Sequence, residues 1–209
     1  KVSLDKALEQ ADQAVANKNY TAALNILQTA LQSQNNTAVD PELVAKAWYR
    51  MARISRTLGE HYSAIDQLKQ AANLLRKTIN KTLLAKILHD LGTTFIIIGD
   101  YDSAIGVLTE AAQSVEGSFD NTLSSKIEIN LAHALLENGV SEGLEQRLNA
   151  LYDNQGQIRN KKENAELLLS VGHLYRMAQK KFNLSSRLRT QAYKALSMSL
   201  ETATSIQDS

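Results

Sequence analysis

Two eight-residue stretches of this chain repeat each other at a shift of 40 residues: Leu58-Gly59-Glu60-His61-Tyr62-Ser63-Ala64-Ile65 and Ile98-Gly99-Asp100-Tyr101-Asp102-Ser103-Ala104-Ile105. Lys18-Asn19-Tyr20-Thr21-Ala22-Ala23-Leu24 stands about one such interval upstream, and Glu137-Asn138-Gly139-Val140-Ser141 one interval downstream. A fixed period in this range is the mark of stacked supersecondary units, each of which leaves an apolar face for its neighbour to cover. Around these turns the apolar residues fall at spacings of three and four. Leu43, Ala47, Met51, Ile54 and Leu58 make one stripe, and Ile65, Leu68, Ala71, Ala72 and Leu75 the next. That periodicity is helical. Asp40-Pro41 opens a helix, because Asp40 can accept from free amides and Pro41 lacks only an amide that has no partner there. Gly59 offers the left-handed stop.

The pattern predicts an all-α chain of five helix pairs: 4–16 with 20–34, 41–58 with 61–77, 80–98 with 101–115, 121–138 with 141–152, and 161–179 with 186–206. These form one array over residues 1–209, with units at 4–34, 41–77, 80–115, 121–152 and 161–206. The start at Lys1 fits either a removed signal peptide or a piece cut from a longer protein, and the stop just after a helical pattern favours the second.

Small and large residues recur at fixed places within the units. The third has Leu91-Gly92, Phe95, Gly99-Asp100-Tyr101, Ala104, Leu108 and Ala111; the second has Trp48, Met51-Ala52, Gly59, Ala64, Leu68 and Ala71. The first keeps Tyr20, Ala23, Leu27 and Ala30. The fourth keeps Leu131-Ala132 and Gly139, with Leu144 where a small residue belongs. The fifth has Val171-Gly172 and Tyr175, then about eight extra residues before its second helix. On these residues the chain resembles the tetratricopeptide repeat superfamily, with a period longer than the usual one. The resemblance implies a right-handed superhelical solenoid of antiparallel pairs, TPR-like, that binds protein segments and catalyses nothing. More weakly, the long units resemble repeat regions that precede bacterial CHAT protease domains. They also resemble the sensor halves of bacterial transcription regulators.

In that family the first helix of each pair lines a concave binding surface. Here that surface would carry Lys46, Lys86 and Lys126 as rungs one period apart, with Tyr49, Arg53 and Arg56 beside the first. His89, His133, His173 and Arg176 continue it. An apolar strip of Ile96, Ile97, Ile129, Leu136, Leu169 and Met177 would run alongside. Basic rungs beside an apolar strip suit a protein or peptide with acidic and aliphatic residues, docked as a peptide or helix. The family's carboxylate clamp is not carried over, because Tyr49, Arg53 and Asp90 stand where it needs other types. Lys126 with Asn130 is its only faint trace.

Other chemistry is poorly represented. A net charge of +1 over 209 residues argues against nucleic acid as a partner, since phosphate binding needs clustered uncompensated cations. No apolar run approaches the roughly 20 residues that span a bilayer. The chain has no Cys, which excludes disulfides and thiolate chemistry and fits either cytoplasm or periplasm without deciding between them. His61, His89, His133 and His173 lie in separate units without a ligand pair, so no metal and no cofactor is expected. Gly139-Val140-Ser141-Glu142-Gly143 lacks the Lys-Ser/Thr of a phosphate loop, and no Gly-x-Ser-x-Gly elbow occurs. Arg159-Asn160-Lys161-Lys162 and Lys180-Lys181 read as solvated turns. Asn35-Asn36-Thr37, Asn80-Lys81-Thr82 and Asn183-Leu184-Ser185 match the glycosylation pattern at a chance rate. The fifth pair, with Leu188, Leu196 and Leu200, lacks a polar cap, so a homodimer through exposed terminal repeats is a further expectation.

Overall fold

The computed structural model describes residues 3–33, 40–116, 121–183 and 186–207. Among the described residues there are ten α-helices, one short 3-10 helix and no strand. No described helix is long and apolar enough to cross a membrane. The chain divides into two compact units, 1–99 and 100–209.

The first unit holds α1 (Leu4–Ala16), α2 (Tyr20–Gln32), α3 (Pro41–Thr57), α4 (His61–Leu75) and α5 (Lys81–Ile97). Helix α1 packs on α2, α3 on α4, and α5 on α4. Its N-terminal core joins Leu4, Ala7, Leu8 and Ala11 of α1 to Ala23, Leu27 and Ala30 of α2 and Ala47, Met51 and Ile54 of α3. Alanine at so many contact positions lets the helices approach closely, and Leu27 fills the remaining space with no exposure at all. Burying one such leucine contributes roughly 1.5–3 kcal/mol.

The second unit holds α6 (Tyr101–Ser114), α7 (Asn121–Glu137), α8 (Leu144–Asp153), the 3-10 helix Asn154–Gln157, α9 (Lys161–Phe182) and α10 (Ser186–Gln207). Its core gathers Leu136, Leu144, Leu148, Leu151, Val171, Leu174 and Tyr175. Helix α8 begins three residues later than the periodicity predicts. The cause is a second left-handed glycine, Gly143 at φ 70°, which follows Gly139 and holds residues 141–143 in the turn. Helix α9 runs three residues beyond its expected end, to Phe182, and stops at left-handed Asn183. Residues 180–182, expected to belong to the insertion, are therefore helix. Gly172 brings α9 against α10: a Cβ there would lie 2.7 Å from Leu196 Cγ.

One turn recurs through the chain. Lys18, Gly59, Gly99 and Gly139 all have positive φ, at 58°, 78°, 79° and 78°. The amide after it reaches back five residues at three of these places: Asn19 to the Ala14 carbonyl, Glu60 to Ser55 and Val140 to Leu135, each at 2.8 Å. This is the Schellman closure, which satisfies carbonyls at the helix end and needs a left-handed residue. Of these four residues only Lys18 is not glycine, and a Cβ in this conformation costs roughly 1–2 kcal/mol. Lys18→Gly is therefore expected to stabilise the chain by about 0.5–1 kcal/mol after glycine's extra chain entropy is subtracted. A urea titration monitored by circular dichroism checks it; no gain would mean that Lys18 does not hold this turn.

Candidate functional site

Lys46, Tyr49, Arg53 and Arg56 follow one another on α3 at three and four residues, so they share one face. On α5 the matching face carries Lys86, His89, Asp90 and Ile97. The two faces meet at Asp90. Its Oδ2 accepts a 2.9 Å hydrogen bond from the Tyr49 hydroxyl. Its Oδ1 lies 3.1 Å from an Arg56 guanidinium nitrogen and 3.5 Å from His89 Nδ1. Burial alone would push this carboxyl up. The His89 hydrogen bond, the Arg56 charge and the Tyr49 hydroxyl together outweigh that and hold it below its ordinary value. Burial, reinforced by the Asp90 charge, pushes the Tyr49 phenol above its ordinary range, so Tyr49 remains a proton donor.

Asp90 thus turns three expected partner-binding residues, Tyr49, Arg56 and His89, inward on the protein itself. Lys46, Arg53 and Lys86 make no ion pair with a described residue. Lys46 is half-buried, whereas Arg53 and Lys86 are exposed. Lys46 precedes Tyr49 by three residues and Lys86 precedes Asp90 by four, so both ammonium groups stand about one turn before the Tyr49–Asp90 contact. Ile97 lies towards the other end of the α5 face and is 53% exposed, whereas Ile96 is half-buried.

Further polar links join the first helices of this unit. Arg50 makes a two-pronged pair with Asp12 of α1, at 2.7 and 3.1 Å. Asn80 caps α5 by accepting from the Leu83 amide at 3.1 Å and donates to Glu42 of α3 at 3.1 Å. Both ends of the Asn80 amide are therefore engaged in the fold, which leaves its glycosylation pattern without a free acceptor. The pattern at residues 35–37 lies outside the described residues, as do two residues of the pattern at 183–185.

In the second unit Lys126 is exposed near the start of α7. His133 Nε2 stands 3.8 Å from Glu137 Oε1. The apolar strip needs correction here. Leu136 is only 1% exposed and belongs to the core, and Ile129 packs partly against that core. Helix α7 is contacted by α6, α8 and α9, so it buries residues well beyond one stripe, including consecutive Ala134, Leu135 and Leu136. Leu136 therefore cannot line a groove. Leu169 and Met177 of α9 remain open, at 46% and 37%. His173 and Arg176 line a cleft of about 530 Å³ between α9 and α10. Lys181 is exposed but engaged: its Nζ donates to the Leu136 and Glu137 carbonyls at 2.6 and 3.0 Å, capping the end of α7. Leu200 is exposed, Leu196 is half-buried, and the Leu188 side chain lies outside the described residues. No group of three His, Asp or Glu among the described residues could hold a metal ion.

Residues 43–116 match the tetratricopeptide repeat family. None of the curated proteins compared with the chain matches it. Solved structures show the fold. Nearly identical TPR-like repeats from Podosopora anserina superpose with a TM-score of 0.75 at 16% identity, over 99% of this chain and 97% of that one. MamA from Desulfovibrio magneticus RS-1 gives 0.67 at 19% identity, over 99% and 97%. The Rap conjugation gene regulator of plasmid pLS20, solved in complex with the Phr* peptide, gives 0.60 at 16% identity, over 98% of this chain and 54% of that one. The fold is a tetratricopeptide-type all-α repeat.

Proposed function

We propose that the chain is a protein-interaction scaffold that takes a peptide or helical segment on the face of its first helices. The observation that carries this reading is the α3–α5 face. Lys46, Arg53 and Lys86 remain without an ion pair to a described residue there, while Asp90 already holds Arg56. An acidic residue of a partner would meet uncompensated cations, and exposed Ile97 would receive an aliphatic one. Lys126, His133, Leu169, His173 and Arg176 would serve the second unit in the same way. A complex of the Rap regulator with a peptide on a related fold supports this use of the scaffold. It also favours a second reading, a peptide-sensing domain of a signalling or transcription regulator. The finer reading, a recognition arm ahead of a CHAT-type protease in a longer protein, rests on the sequence resemblance alone.

The test is an array of acidic, aliphatic-rich peptides probed with the chain and with its Lys46→Glu, Lys86→Glu, Lys126→Glu variant. Capture is expected to fall by about tenfold or more in the variant, with helicity and melting little changed, because Lys86 and Lys126 are exposed and half-buried Lys46 makes no ion pair with a described residue. Raising the salt from 0.05 to 0.5 M should weaken the wild type too, since the Debye length shrinks to about 4 Å. Capture that ignores the three reversals would sink the proposal.

A further inference from the structure

In the first unit the α3/α4 pair is covered by α5, and the cover is partly ionic: Asp90 of α5 meets Arg56 of α3 at 3.1 Å. Arg56 stands four residues after the small residue Ala52 of its helix. In α9 the small residue is Gly172, packed on Leu196, and Arg176 stands four residues after it. Arg176 is therefore the counterpart of Arg56 on the last helix pair. Beside it lies the 530 Å³ cleft, with His173, Met177 and Lys180 on the α9 wall and Tyr193 and Leu196 on the α10 wall. Among the described residues no carboxylate lines this cleft, whereas Arg176 and Lys180 do. Helix α4, under α5, buries Ile65, Leu68, Ala72 and Leu75. Helix α10 leaves Tyr193 62% exposed.

From this we infer that the α9/α10 cleft is a docking groove for an acidic amphipathic helix of a partner protein. The helix sets a carboxylate against Arg176 and aliphatic side chains against Met177, Tyr193 and Leu196, as α5 sets Asp90 against Arg56. Charge complementarity selects the occupant. A helix with basic residues on that flank would face Arg176 and Lys180 with like charge, which costs affinity. The inference rests on the reading of His173 and Arg176 as partner-binding residues of the second unit and names their occupant.

The probe is a labelled synthetic peptide of the 17-residue α5 sequence with Lys81→Glu and Lys86→Glu, titrated by fluorescence anisotropy. The titration uses the wild-type chain and the chain carrying the three lysine reversals, so that failure here is separable from failure of the α3–α5 reading. Saturable binding is expected in both. Arg176→Glu should weaken it about tenfold, and a peptide that also carries Asp90→Lys should bind Arg176→Glu better than wild type. Tyr193→Ser should weaken both peptides. Arg176 and Tyr193 are exposed, and unchanged melting would show that each variant is folded. Binding that is indifferent to Arg176→Glu, or absent from the wild type, overturns the proposal. So does a dimer, seen by sedimentation, that Arg176→Glu dissociates, because the groove would then belong to a second copy.

Discussion

Leu136→Ala is expected to destabilise the second unit by about 2–5 kcal/mol, the usual cost of deleting a fully buried leucine side chain. The side chain is 1% exposed and packs within a cluster that includes Ala132, Leu144, Leu148 and Val171. The cost has two parts. Removing the apolar atoms forfeits their transfer energy, and a cavity remains wherever α8 and α9 cannot close in. Leu169→Ala supplies the contrast. It removes the same atoms from a side chain that is 46% exposed, so the change should stay near 0.5 kcal/mol. Urea unfolding of both variants, with the slope compared, measures the difference. Equal small losses would mean that α7 is rotated with Leu136 facing solvent, and the strip that includes it would return as a binding surface.

The contrast between these two leucines shows what the chain's pattern could and could not convey. The helix pairs were legible because the left-handed turn demands a particular residue, and Gly59, Gly99 and Gly139 supply it at a regular interval. Helix faces were legible where a helix has one covered side. Helix α7 has neighbours in α6, α8 and α9, so its apolar residues do not resolve into one stripe, and Leu136 was read onto the open side. Asp90 was passed over for a different reason. Its role depends on the register between α3 and α5, which no single-helix pattern contains. A signal did exist: Asp90 follows Tyr49 by 41 residues, and the other polar pairs between first helices are similarly spaced, 38 for Arg50 with Asp12, 38 for Asn80 with Glu42 and 41 for Thr122 with Glu163. Complementary polar residues within two residues of one period therefore mark all four pairs. The cleft at Arg176 was out of reach, because its second wall comes from α10, across an interruption whose length alone does not fix how α10 returns.

The second large effect is at Asp90. Asp90→Ala is expected to cost about 2–3 kcal/mol, because it strips a charged acceptor from Arg56 and from the Tyr49 hydroxyl in a partly buried place. The two charged side chains are 19% and 24% exposed, so solvent takes up some of the loss and the upper range for fully buried pairs does not apply. Asp90→Asn should cost less, since an amide oxygen still accepts from Tyr49 while the charge for Arg56 is gone. The pH dependence gives the sign. The Asp90 carboxyl is held below its ordinary value when folded, so the folded chain binds fewer protons there than the unfolded chain. Its contribution is therefore full above the ordinary carboxylate range, about 3.9, and is lost as the pH falls through the lower folded value. Wild type should outlast Asp90→Asn in urea at pH 7, and the gap should narrow steadily as the pH falls below 4. A gap that widens in acid would show that Asp90 is protonated in the folded chain. The Tyr49–Asp90–Arg56 contact would then be a neutral hydrogen bond, and Arg56 would be a cation available to a partner after all.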